Sequence, residues 1–278
     1  MIEIINPNIE RGRIRHALFD FDGTLSLIRE GWQRVMIPMM VEWLMETPQH
    51  ESEDELGHAV SDYVTRSTGI QTIYQMIHLT EMIARRGGQP LEPLVYKQKY
   101  IHCLWQRIKE RVAMLKSGAI APDDMMVPGG RIILDELRCR GVRCYLASGT
   151  DEPYVLDEAG ALKLAPYFAG IYGARDDYKS FSKKILIDHI ISENRLSGPE
   201  FVVFGDGFVE IEDGKSVGGI AVGVASDEAT RSGVNQWKRN RLIQAGADII
   251  VPDFRDSTDL VAYLFDEDGS ADRQNKQG

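Results

Sequence analysis

Three short apolar runs in this chain each stop at a polar group, and that pattern constrains the fold more than any other feature. Ile14–Phe19 ends in Asp20 and, two residues further on, Asp22; Val142–Ala147 runs into Ser148; Phe201–Phe204 meets Gly205, Asp206 and Gly207. A short apolar run closed by turn residues reads as a buried strand. Further strand candidates are Phe168–Tyr172, Gly219–Val224 and Ala247–Val251. Between them the apolar positions take helical spacing, over Gly130–Arg140, from Glu152 and Pro153 onward, over Lys183–Ile191 and over Thr230–Gln244. Strands that alternate with helices form a parallel sheet covered on both faces. Open sheets of that kind hold ligands at the carboxyl ends of their strands. The three polar strand ends therefore outline one site.

Strand alternation sends the side chains of Asp20 and Asp22 the same way. Adjacent carboxylates repel and need a cation or a shared proton. Magnesium suits them, being a hard ion that favours oxygen and works with phosphates. The Ser148-Gly149-Thr150 turn offers a hydroxyl and backbone N–H groups to an anion. Asp206 and Glu210 are four residues apart, so a helical turn there would put both on one face as metal ligands; Asp213 reads as a solvated acid. Lys183 and Lys184 open a helix, where a cation opposes the helix dipole, and an ion pair with the carboxylates would compensate.

One stretch breaks the alternation. From Leu27 to Lys116 the apolar residues keep helical spacing throughout, as in Trp32, Val35, Met36, Met39, Met40, Trp43 and Leu44, and no strand pattern intrudes. This is a helical insert. Its methionines and tryptophans read as core, the charges from Lys97 to Arg111 as a solvated face, and Ser67–Thr72 as an interhelical loop that is also a candidate substrate contact, with Arg66 a weaker one. The expected division is a core of residues 1–26 and 125–265, an insert of 27–124, and a polar, disordered tail of 266–278; residues 1–13 read as a lead-in.

The formal net charge of −10 argues against nucleic acid as a partner, which needs clustered positive charge. No run approaches the length of a membrane span, and the N-terminus has no apolar signal core. Cys103, Cys139 and Cys144 lack metal-ligand spacing and read as reduced thiols, which places the protein in the cytoplasm.

The order of these features resembles the haloacid dehalogenase-like hydrolases, from about residue 15 to residue 252. The first motif of that superfamily, DxDGT, matches Asp20, Asp22, Gly23 and Thr24. The second, a Ser or Thr ending an apolar strand, matches Ser148; the third, a lysine, matches Lys183, with Lys184 as alternate. The fourth, GDxxxD, matches Gly205, Asp206 and Glu210, with Glu in place of the commoner Asp. The insert resembles the helical cap of the phosphoglycolate phosphatase and β-phosphoglucomutase branches. The resemblance implies an α/β, Rossmann-like parallel sheet with an inserted all-α cap domain. It also implies a Mg2+-dependent phosphatase acting on a small phosphorylated metabolite. Asp20 would be the nucleophile and Asp22 the general acid and base. The metal would take Asp20, Asp206, the Asp22 carbonyl and, directly or through water, Glu210. Ser148, Gly149, Thr24 and Lys183 would face the phosphate. A phosphomutase and a non-catalytic phosphate sensor are the alternative readings.

Overall fold

The computed structural model describes residues 2–178 and 182–267. Seven strands form one sheet: β1 (Glu3–Ile4), β2 (His16–Phe19), β3 (Arg143–Asp151), β4 (Phe168–Ala174), β5 (Phe201–Gly205), β6 (Ile220–Val224) and β7 (Ile249–Val251), in the order β1-β7-β6-β5-β2-β3-β4. All neighbours are parallel except β1, which pairs antiparallel with β7. The lead-in expected over residues 1–13 thus contributes an edge strand, too short at two residues to carry a periodic signal.

Side-chain alternation divides the core. Ala17, Phe19, Val202 and Phe204 face one apolar cluster, while Leu18, Val203 and Phe201 face the other. The first cluster is closed by α5 (Gly130–Cys139), α6 (Glu152–Ala161) and α10 (Ser257–Leu264). The second is closed by α7 (Lys183–Asn194), α8 (Phe208–Ser216) and α9 (Gln236–Gln244). Helix α9 starts six residues later than expected, because the Asn235 side chain caps it by accepting from the Lys238 N–H.

Between β2 and α5 stand four helices, α1 (Gln33–Met45), α2 (Glu53–Arg66), α3 (Thr72–Arg85) and α4 (Pro93–Ser117). Met36, Met39, Met40 and Leu44 of α1 are buried, as their spacing requires. The α4 charges do not all form a solvated face. Lys97 is buried against Asp151 at 2.7 Å, and Arg111 donates to the carbonyls of Ile28 and Glu30 at 2.8 and 3.1 Å. These cations spend their donors on groups outside their own helix, which helical periodicity cannot reveal. Of the tail expected from residue 266, residues 268–278 lie outside the described residues, while Glu267 is ion-paired to Arg140 at 2.9 Å. No helix among the described residues is long and apolar enough to cross a membrane.

Candidate active site

Strand β2 delivers Asp20 to the carboxyl edge of the sheet, where its N–H still bonds the Phe204 carbonyl at 2.9 Å. The chain then turns at Gly23, whose φ is +78° and where an added Cβ would lie 2.3 Å from Asp206 Oδ2. Only glycine fits both restrictions. Beyond it Ser26 N–H returns to the Phe21 carbonyl at 2.8 Å, and Ser226 Oγ donates to the Gly23 carbonyl at 2.7 Å.

Three distant segments meet here. Lys183 Nζ, at the first turn of α7, lies 2.5 Å from Asp20 Oδ1 and 2.9 Å from Glu210 Oε2. Glu210 is fully buried in the first turn of α8, where its Oε1 also accepts the Gly207 N–H at 2.8 Å. Ligand atoms of Asp20, Asp206 and Glu210 all lie within 4.8 Å of one another. Lys184 points away and pairs with Asp188 on the surface of α7. Of the two adjacent lysines, the buried one joins the carboxylates.

Asp22 faces a different set. Its Oδ2 accepts from Thr150 Oγ1 at 3.0 Å and, weakly, from Ser148 Oγ at 3.4 Å; Ser148 Oγ in turn accepts the Thr150 N–H at 3.0 Å. Burial pushes the carboxyls of Asp20, Asp22 and Asp206 above the usual range, and neighbouring carboxylates add to the rise at all three. The Asp20 and Glu210 carboxylates outweigh burial at Lys183 and keep its ammonium charged.

Several side chains at the site carried no local signal. Lys238 on α9 is buried and bonds Asp206 Oδ2 at 2.7 Å, Glu228 Oε1 at 2.8 Å and Ser226 Oγ at 3.3 Å. Arg29, in the turns between β2 and α1, is clamped by Glu158 of α6 and has its Nε 3.9 Å from Asp22 Oδ1. Thr24, expected among the phosphate contacts, does not line the cavity: it is fully buried and its hydroxyl has no hydrogen-bond partner among the described residues. Asp213 is half-buried rather than solvated, and burial with the nearby Glu210 pushes its carboxyl up to about 6.

A cavity of about 90 Å3 opens over Asp20, Asp22, Ser148 and Asp206 and is closed by Thr68, Gly69 and Ile70 from the loop between α2 and α3. That loop touches both neighbouring strand-end turns. A Cβ at Gly69 would lie 3.1 Å from Gly207 Cα, and one at Gly149 would lie 3.1 Å from the Ile70 carbonyl. Arg241 of α9 secures the approach by donating to the carbonyls of Thr65, at 2.9 Å, and Arg66. The Arg66 side chain is exposed and pairs with Asp62 at 2.6 Å.

The family model of the haloacid dehalogenase-like hydrolases matches residues 14–218, and the chain belongs to that family of enzymes. None of the curated proteins matches it significantly. Among solved structures it resembles a predicted phosphoglycolate phosphatase from Haemophilus somnus, with a TM-score of 0.60, 15% identity, and 89% of this chain and 98% of that one covered. It also resembles a putative β-phosphoglucomutase from Thermotoga maritima, with a TM-score of 0.51, 17% identity and coverage of 92% and 100%. A third is a mutant of CbbY from Rhodobacter sphaeroides in complex with xylulose-1,5-bisphosphate, with a TM-score of 0.54, 16% identity and coverage of 87% and 95%. At these identities the likeness is one of fold.

Proposed function

We propose that the protein is a cytoplasmic, Mg2+-dependent phosphatase that hydrolyses a small phosphate monoester through a phosphoryl group carried on Asp20. The observation that carries this reading is the separation of the two motif aspartates into different environments. Asp20 shares its surroundings with Lys183 and the acids Asp206 and Glu210, while Asp22 faces the hydroxyls of Ser148 and Thr150. One carboxylate is held as a nucleophile, and the other is poised to move a proton.

Asp20 attacks phosphorus in line as the leaving oxygen departs. Asp22, whose burial favours the protonated form, gives its proton to that oxygen. The resulting carboxylate then takes a proton from the water that attacks the phosphoryl-Asp20 and releases free phosphate. Ser148 and the turn through Gly149 face the phosphoryl oxygens, and Lys183 balances charge at Asp20.

The donor set fits a hard divalent ion, because it offers buried carboxylate oxygens and no sulfur or nitrogen. Asp20, Asp206 and the Asp22 carbonyl would hold it. Both Glu210 oxygens already accept hydrogen bonds, which favours a contact through water for that residue. A bound Mg2+ supplies positive charge against the phosphoryl oxygens.

The helices within residues 27–124 act in this reading as a cap on a core of 1–26 and 125–265, with the α2–α3 loop excluding water from the cavity. The test is phosphate release across a panel of phosphorylated metabolites, with and without Mg2+. Stoichiometric, Mg2+-dependent release from at least one ester is expected. Isomerised product without free phosphate would replace the reading with a mutase, and no reaction by the folded protein would replace it with a phosphate-sensing role.

A further inference from the structure

We infer that Arg29 is a specificity residue that reads a carboxylate on the leaving group of a phosphate ester. The inference rests on the phosphatase reading and narrows its substrate to phosphate esters whose leaving group carries a carboxylate.

Arg29 lines the cavity but is only 8% exposed, and Glu158, at 1%, grips a single edge of its guanidinium. Nε donates to both Glu158 oxygens, at 3.1 and 3.0 Å, and Nη2 donates to Oε1 at 2.6 Å. Nη1 makes no hydrogen bond among the described residues, yet it is not among the buried, unpartnered atoms. Its two N–H groups therefore remain available at the cavity. A guanidinium is a planar fork, so fixing one edge aims the other. The Tyr154 ring, 5.7 Å from the guanidinium carbon, further restricts it.

A buried ion pair is weak evidence for a stability role, since apolar residues of similar volume would serve as well. Here the pair presents a charge. The other ionisable side chains lining the cavity are mostly acids, namely Asp20, Asp22, Glu30, Asp206 and Glu228, and Arg29 is the one basic side chain among the described residues that line it. A neutral leaving group needs no such cation, whereas a carboxylate among those acids does.

Position narrows the ligand. Arg29 Nε lies 3.9 Å from Asp22 Oδ1, and Asp22 is the group proposed to protonate the leaving oxygen. The carboxylate it reads therefore sits on the leaving group, a carbon or two from the ester oxygen.

The test is titration calorimetry of the full chain with Mg2+ present, using two phosphonates that are not hydrolysed. 3-Phosphonopropionate carries the carboxylate; propylphosphonate replaces it with a methyl group. The wild type is expected to bind 3-phosphonopropionate at least about tenfold more tightly, the scale of one charge-assisted hydrogen bond. The paired variant Arg29→Gln/Glu158→Gln removes both charges together and strands neither, and its fold is checked by circular dichroism. It should weaken 3-phosphonopropionate about tenfold more than propylphosphonate. Equal wild-type affinities, or an equal loss for both probes in the paired variant, would overturn the assignment of Arg29 and leave the phosphatase reading standing. Binding of neither probe by the wild type would remove both.

Discussion

Replacing Lys183 by Met asks whether this lysine holds the carboxylate cluster together. Its ammonium is almost fully buried and bonds Asp20 at 2.5 Å and Glu210 at 2.9 Å. Removing it leaves three carboxylates within 4.8 Å of one another without that counter-charge. Breaking a buried pair from one side costs about 3–5 kcal/mol. For a chain of this size that corresponds to a fall in Tm of roughly 6–20 °C. The neighbouring Lys184 serves as the control. Its pair with Asp188 is exposed and spans one helical turn, so Lys184→Met should cost no more than about 0.5 kcal/mol. Thermal unfolding followed by circular dichroism in EDTA separates the two variants. Repeating it in Mg2+ should restore part of the Lys183→Met loss, by about 2.7 kcal/mol when the ion stands at about a hundredfold over its Kd. A Lys183→Met protein that melts with the wild type, or shifts no more than Lys184→Met, would refute the electrostatic account of the site.

Asp20→Asn should keep the fold and abolish turnover; retained activity within roughly tenfold, a barrier change of about 1.4 kcal/mol, would count against the nucleophile. Because burial raises the carboxyls of Asp20 and Asp206, a divalent ion must displace protons to bind them. Mg2+ affinity measured by calorimetry should therefore rise with pH, and an affinity that does not change with pH would contradict the ligand assignment. Asp213 has a folded-state pKa of about 6 against an ordinary 3.8, so the native state holds this proton more tightly than the unfolded chain. Its contribution favours the native state at low pH and is lost as pH rises from the ordinary value through about 6. Asp213→Asn should remove that slope from urea-unfolding stabilities, and an unchanged slope would dismiss the burial argument.

Residues joined within one local segment were legible in the sequence. Asp20, Asp22 and Gly23 form a single turn after a single strand, and Asp206 and Glu210 share one strand-to-helix junction. Lys183 could be placed by order along the chain, but its distinction from Lys184 depends on which side of α7 faces Asp20. The other cations were not legible. Arg29 and Glu158 are 129 positions apart, Lys238 and Asp206 are 32 apart, and nothing in either pair's neighbourhood names its partner. Lys238 sits in Gln236–Arg241, where three cations fall within four residues and nothing local marks which of them is buried against Asp206. The loop through Gly69 was visible as a loop, but its contacts with Gly149 and Gly207 exist only because the helices fold back over the sheet. The Thr24 side chain is buried within the turn and does not line the cavity, a placement that its motif position alone does not reveal.

The most direct test of the account is to look for the phosphoryl group itself. The Asp22→Asn protein would be mixed with a small acyl phosphate, whose leaving group needs little help from an acid, then quenched in acid and mapped by mass spectrometry. The account predicts a phosphoryl adduct on the peptide that contains Asp20, present in Mg2+ and absent when Asp20 is also replaced by Asn. Phosphate release by the wild-type enzyme with no adduct on that peptide in any variant would mean that water attacks phosphorus directly, and Asp20 would not be the nucleophile.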